Sequence, residues 1–276
     1  MTDLVETVRR YDRDRFLATL FAPASLRPDL WALLAFNLEI ARVREVVSQP
    51  ILGQIRLQWW RDAIGEIYDG KPARRHEVAT PLAETIKRHG LSRHRFDALI
   101  DARERDLLET PPATLAELEA YVAASAGELF ALQIECLAPG EAESPAIGAI
   151  GIGWGLAGLV RAVPFHAATS RIFIPTEIAE PVGLDEAAIR SGRFTPALGE
   201  ALANLAEIAR AHLAAGRAVR PRIGRAALPA LLPALLADRQ LVRLAAVGYD
   251  PYVAEVQRPD PLAAWRMARG WLTRRF

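Results

Sequence analysis

The 276 residues carry 34 basic and 33 acidic side chains, a net charge of +1, and 51% of them are hydrophobic. A chain of this size and composition buries a large core, which excludes a disordered chain, a collagen-like chain and a small disulfide-stapled scaffold. The near-zero charge gives no reason to expect nucleic acid as a partner. At roughly 150 residues per domain the length allows one large domain or two small ones. No repeat, linker or shift in composition marks a boundary, so one domain over residues 1–276 is expected. Cys136 is the one cysteine, so neither an internal disulfide nor a cysteine zinc cluster can form. No apolar segment of the signal type opens the chain, and a reducing, cytoplasmic setting is expected.

Ala, Leu, Arg and Glu dominate, and alternating Val, Ile and Thr runs are scarce, so helices of about 10–25 residues are expected nearly throughout. Leu30, Leu33, Leu34, Ile40, Val43, Val46 and Val47 follow helical spacing. Asp97 and Asp101 lie one turn apart, but Arg95, Arg103 and Arg105 interleave with them. Asp101 and Arg105 then read as an i, i+4 pair on a solvated face and not as a metal site. Ser144 to Val160 has no charge and carries five glycines. Its length is at the lower edge for a membrane span, and a central helix buried all round is the preferred reading. The last helix joins Trp265, Met267 and Trp271 to Arg266, Arg269, Arg274 and Arg275. Such a tail suits either a membrane headgroup region or tryptophans packed on the core with solvated arginines. Trp59 and Trp60 read as core.

Several segments, in consistent order, resemble the squalene/phytoene synthase family. They are Arg15-Phe16-Leu17 through Pro23 and Arg27 to Trp31–Phe36, then Gln58–Ile64, then Pro81 to Leu91 and Asp101 to Leu107. Thr114-Leu115, Tyr121 and Ala126-Gly127 follow, and the series closes with Gly155 through Arg171-Ile172-Phe173-Ile174-Pro175. The resemblance implies an all-α isoprenoid-synthase fold, a helical bundle around a central cavity. Active members join two prenyl diphosphates head to head. The departing diphosphate is stabilised by magnesium, which two aspartate-rich helices hold on opposite walls of the cavity.

This chain departs from the family pattern on both walls. Ala41, Arg42 and Glu45 stand at the first aspartate motif, and Ala162, Phe165 and His166 at the second. The family's arginines are kept as Arg161 and Arg171. No catalytic residue or metal ligand is assigned. The candidate cavity or phosphate-binding residues are Glu39, Arg42, Arg44, Glu45, Asp62, Arg161, His166 and Arg171. Glu39, Arg42 and Glu45, three apart, are expected to share a helix face. Two readings stand: a buried ion-pair network in a degenerate cavity, or direct binding of phosphate by Arg42, Arg44, Arg161 and Arg171 without metal. His166 reads as a pocket-lining or core histidine, with titration near neutral pH as the functional alternative.

The wording of Ala35–Ile64 and Leu159–Pro175 resembles a branch without the aspartate motifs, which includes mitochondrial assembly factors for respiratory complex I and bacterial relatives labelled phytoene synthase. The resemblance implies a catalytically degenerate scaffold or assembly protein. Its partners would be complex I subunits, a lipid or isoprenoid in the cavity, and the surface of the inner membrane. No cofactor is expected. The alternative is a working head-to-head prenyltransferase using magnesium on non-standard ligands, with Glu39, Glu45 and Asp62 as candidates.

Overall fold

The computed structural model describes residues 2–47 and 49–276, which are helical with no strand among them. The first half contains α1 (Thr2–Tyr11), α2 (Arg13–Thr19), α3 (Arg27–Ala41), α4 (Val43–Val46), α5 (Pro50–Tyr68), α6 (Ala79–His89), α7 (Arg93–Arg105) and α8 (Leu115–Val122). A π-helical turn, Ala123–Gly127, joins α8 to α9 (Glu128–Leu137). Then come α10 (Pro145–Arg161), α11 (Val163–Ala168), α12 (Thr176–Ala179), α13 (Glu186–Arg190) and α14 (Pro196–Ala218). The chain closes with α15 (Leu228–Leu231), α16 (Ala234–Ala246), α17 (Ala254–Gln257) and α18 (Ala263–Thr273).

Local chemistry sets the ends of these helices. Pro50, Pro145 and Pro196 occupy the first turns of α5, α10 and α14, where a missing N–H costs nothing and the fixed φ favours a helix. The Thr195 side chain caps α14 by accepting from Leu198 N at 3.1 Å, satisfying a donor that has no partner within the helix. Prolines also shorten helices. Pro164 cannot extend α10 and instead starts the one-and-a-half-turn α11, so helices of four to six residues occur beside the longer ones expected.

The uncharged stretch is α10, the central helix, and its most extensive contacts are with α14. Ile147, Ile150, Leu156, Ala157 and Val160 are buried in the main core, which runs from Leu4 to Phe276. No helix among the described residues is long and apolar enough to cross a membrane. Its glycines permit close approach. A Cβ on Gly151 would lie 2.5 Å from Gly127 Cα, one on Gly153 2.8 Å from the Ala209 carbonyl oxygen, and one on Gly155 2.4 Å from Val122 Cγ1. The helix thus meets the π-helical turn, α14 and α8 at near-backbone distance.

Trp60 is core, with its ring edge-on to Phe36 at 5.2 Å. The acidic face of α7 is salt-bridged as expected, but with a different partner. Asp101 accepts from Arg61 of α5 at 2.5 Å, and Glu104 pairs with the same arginine at 2.9 Å, so the bridge joins two helices instead of running from Asp101 to Arg105.

Gly151→Ala is expected to destabilise the fold by about 1–3 kcal/mol, because its methyl meets backbone that cannot yield. Gly148→Ala, whose methyl meets open space, is expected to be neutral or to stabilise by up to about 1 kcal/mol. Urea unfolding of the two variants checks the contrast.

Candidate functional site

The two walls marked by the sequence face one cleft. Its volume is about 630 Å³, within the range of small-molecule sites. Asn37, Leu38, Ala41, Arg42 and Glu45 line it from α3 and α4, and Trp154, Arg161 and Phe165 from α10 and α11. Residues 10–15, at the junction of α1 and α2, close a third side. Both walls break at the altered motif: Arg42 (φ −92°, ψ 2°) separates α3 from α4, and Ala162 (φ −83°, ψ 7°) separates α10 from α11.

Arginine dominates the electrostatics of the cleft. Arg10, Arg13, Arg15, Arg42, Arg103 and Arg161 line it against Asp12, Asp14 and Glu45. The acids are engaged. Asp12 accepts from Arg15 Nε at 2.7 Å, and Glu45 pairs with Arg42 at 3.4 Å. Burial pushes the Asp14 carboxyl above its usual range, against the pull of Arg161. Arg42 also lies over the Tyr11 ring at 4.1 Å, and Arg15 over Trp154 at 4.6 Å. Arg161 has no carboxylate partner among the described residues, and its Nε is buried without a hydrogen-bond acceptor.

A magnesium diphosphate does not fit this donor set. The ion needs free carboxylate oxygens, whereas Ala41, Arg42, Ala162, Phe165 and His166 occupy most of the motif positions. The acids that remain are paired with arginine or held toward the protonated form. Among the described residues no three metal-capable side chains converge. Guanidinium groups outnumber carboxylates on the cleft lining, and guanidinium matches phosphate or carboxylate oxygens without a metal.

Of the eight candidates, Arg42, Glu45 and Arg161 line the cleft and the other five lie elsewhere. Glu39 is off the lining face. The break at Arg42 ends the helical register between Glu39 and Glu45, and of Glu39, Arg42 and Glu45 only the last two line the cleft. Asp62 lines a separate groove with Arg61, Glu66 and Arg74, where Gln58 Nε2 donates to it at 2.7 Å. The three carboxylates considered as alternative metal ligands therefore do not share one cleft. Arg44 reaches toward Glu109, at 3.9 Å.

His166 and Arg171 lie behind the second wall, in a mostly apolar space of about 10 Å³ lined by Leu159, Val163, Ile174 and Leu205 among others. Such a volume holds at most a single water. Arg171 is buried. Its Nε donates to Thr169 Oγ1 at 3.2 Å, and its guanidinium lies over Phe165 and Phe173. The His166 ring sits 4.7 Å from that of Phe173. Burial, with the Arg171 charge beside it, pulls the His166 pKa down to about 3. His166 is therefore neutral at physiological pH and does not act as a titrating group there.

Sequence reasoning missed Arg15 and Arg103. Arg103 Nη1 donates to Asp106 Oδ2 at 3.2 Å and to Tyr121 Oη at 3.1 Å, and its Nη2 donates to Asn37 Oδ1 at 3.3 Å. Tyr121 donates in turn to Asp106 Oδ1 at 2.8 Å and stacks on Phe173. Burial and the Asp106 charge push the Tyr121 pKa up, so it stays a donor. This buried network fixes Arg103 against the cleft. Arg15, Asp106 and Tyr121 lie in family-like segments, but nothing in their spacing distinguishes them.

The profile of the squalene/phytoene synthase family matches residues 8–268. Complex I assembly factor 6 from Bos taurus is 28% identical over 259 residues, covering 94% of this chain and 78% of that protein. The Homo sapiens protein is 27% identical with the same coverage. A phytoene synthase from Thermus thermophilus is 28% identical over 284 residues, covering 99% of this chain and 93% of that protein. Among solved structures, a dehydrosqualene synthase aligns with a TM-score of 0.84 at 15% identity, over 99% of this chain and 95% of its own. A squalene synthase from Alicyclobacillus acidocaldarius aligns with a TM-score of 0.78 at 22% identity, over 91% and 95%. These structural likenesses show the fold.

Because the folded His166 has a pKa below its ordinary 6.5, only the unfolded chain gains a proton there as the pH falls through that value. The associated stability is present above about pH 6.5 and is lost toward acid. His166→Phe is expected to flatten the fall in melting temperature between about pH 7 and 5; an unchanged slope would assign the acid sensitivity to other groups.

Proposed function

We propose a scaffold role in place of prenyl transfer, from one premise: the chain belongs to the squalene/phytoene synthase family and keeps its fold without its metal-binding walls. The observation that carries the reading is the loss of carboxylates at both walls of one cleft. Coordinated replacement at Ala41, Arg42, Ala162, Phe165 and His166 leaves a diphosphate leaving group without its metal.

The role we assign is assembly of respiratory complex I, at the inner face of the membrane that holds it. Support comes from the similarity to complex I assembly factor 6 over 94% of this chain. Percentage identity does not discriminate, because a phytoene synthase is also 28% identical; the choice rests on the residues that stand at the two walls of this chain. The arginines of the cleft favour a metal-free anion, such as the phosphate end of an isoprenoid or lipid, on Arg42, Arg103 and Arg161. The apolar space behind the second wall is too small for a prenyl chain. On this reading the protein uses no cofactor.

Deleting the gene in its own host is expected to lower fully assembled complex I on native gels, with other respiratory complexes and the squalene or carotenoid content unchanged. Normal complex I together with a missing isoprenoid product would overturn the assignment in favour of prenyl transfer.

A further inference from the structure

α18 carries two apolar stripes, and only one of them is packed. Ala263, Met267 and Gly270 are buried against α2 and α15–α16, beside Ala18, Leu232 and Leu236. On the opposite side Leu262, Trp265, Arg269 and Leu272 follow a three-four-three spacing, which places them on one outward face. Leu262 is 51% exposed, Trp265 59% and Leu272 70%. Large aliphatic and indole surface left in water along a single stripe marks an interaction face.

The charge beside the stripe is one-sided. From Pro261 to Phe276 there are four arginines and no acid. Arg266 is held by Asp260 at 2.8 Å, while Arg269, Arg274 and Arg275 are exposed and make no ion pair among the described residues. Arg274 (φ 54°) ends the helix in the left-handed conformation, and the Arg275 N–H returns to the Gly270 carbonyl at 2.8 Å. A side chain at Gly270 would meet the Arg275 carbonyl oxygen at 2.6 Å. This return folds Arg275 beside Trp265, Arg269 and Thr273 around a groove of about 510 Å³.

We propose that α18 is the membrane-docking face of this protein. Its outward stripe lies in the headgroup region of a bilayer rich in anionic phospholipid, with lipid phosphates on Arg269 and Arg275. The tryptophan suits the polar–apolar boundary, the leucines supply shallow apolar burial, and guanidinium groups match phosphate oxygens in bidentate geometry. Charge without a compensating acid favours an anionic lipid surface over a partner helix. The inference rests on the peripheral placement in the proposed function and is independent of the identity of the protein partner.

The test is co-sedimentation of the full chain with phosphatidylcholine vesicles, with and without phosphatidylglycerol, at low and high salt. Binding is expected only with phosphatidylglycerol and is expected to weaken with salt. Trp265→Ala with Leu272→Ala, and separately Arg269→Glu with Arg275→Glu, are each expected to lower it at least about tenfold. Arg56→Glu, an exposed change on α5, is expected to leave it unchanged. Melting curves verify that the variants are folded. No partition of the wild-type chain, or equal loss with Arg56→Glu, would overturn the docking face while leaving the complex I reading intact. So would α18 variants that lose complex I assembly without any change in vesicle binding, an outcome that assigns the stripe to a protein.

Discussion

The close approach of α10 to its neighbours is the constraint on which the rest depends. Gly151, Gly153 and Gly155 bring its backbone against the Gly127 turn, α14 and α8 at distances that any Cβ would violate. That packing fixes where the next residues point. Trp154 lies on the cleft side, stacked under Arg15, and Arg161 arrives at the rim where Pro164 stops the helix. Interior packing at crystal-like density leaves little freedom to slide such a helix, so the second wall keeps its position although its acids are gone.

Position and chemistry have therefore separated. The walls still face one another across a cleft, but arginine has taken over its field, and its remaining acids are engaged by arginines or biased toward protonation by burial. The Arg103–Asp106–Tyr121–Asn37 network is satisfied by contacts within the chain, although Arg103 Nε remains without a partner. The same fold thus carries an arginine-lined cleft in place of acidic walls, and what the protein does is decided by that site and not by the fold.

The fold was largely legible because its signals are local. Helix-forming composition gives helices nearly throughout, and the uncharged glycine-bearing run locates α10, without tertiary information. The loss of the acidic motifs was legible too, since it is a statement about residue types. The membership of the site was only partly so. Glu39 was misplaced because the helix breaks at Arg42, which ends the register that the three-residue spacing assumes. Asp62 sits on a helix whose orientation toward the cleft no linear pattern specifies. Arg103 gains its role from Asn37 and Tyr121, which are distant in the chain, and in a sequence whose cations are nearly all arginine it carries no mark of its own. Trp265 and Trp271 look alike in sequence, yet Trp271 packs near Phe21 and Trp265 remains exposed.

With its acids paired or biased toward protonation, the cleft has no carboxylate set to stabilise a departing diphosphate through magnesium. The most direct measurement is diphosphate release from farnesyl and geranylgeranyl diphosphate by purified, metal-stripped and then magnesium-reloaded protein, beside an aspartate-bearing family member assayed identically. No release above background is expected from this chain while the control turns over. Release accompanied by a head-to-head product would contradict it and would require metal ligands outside the walls described.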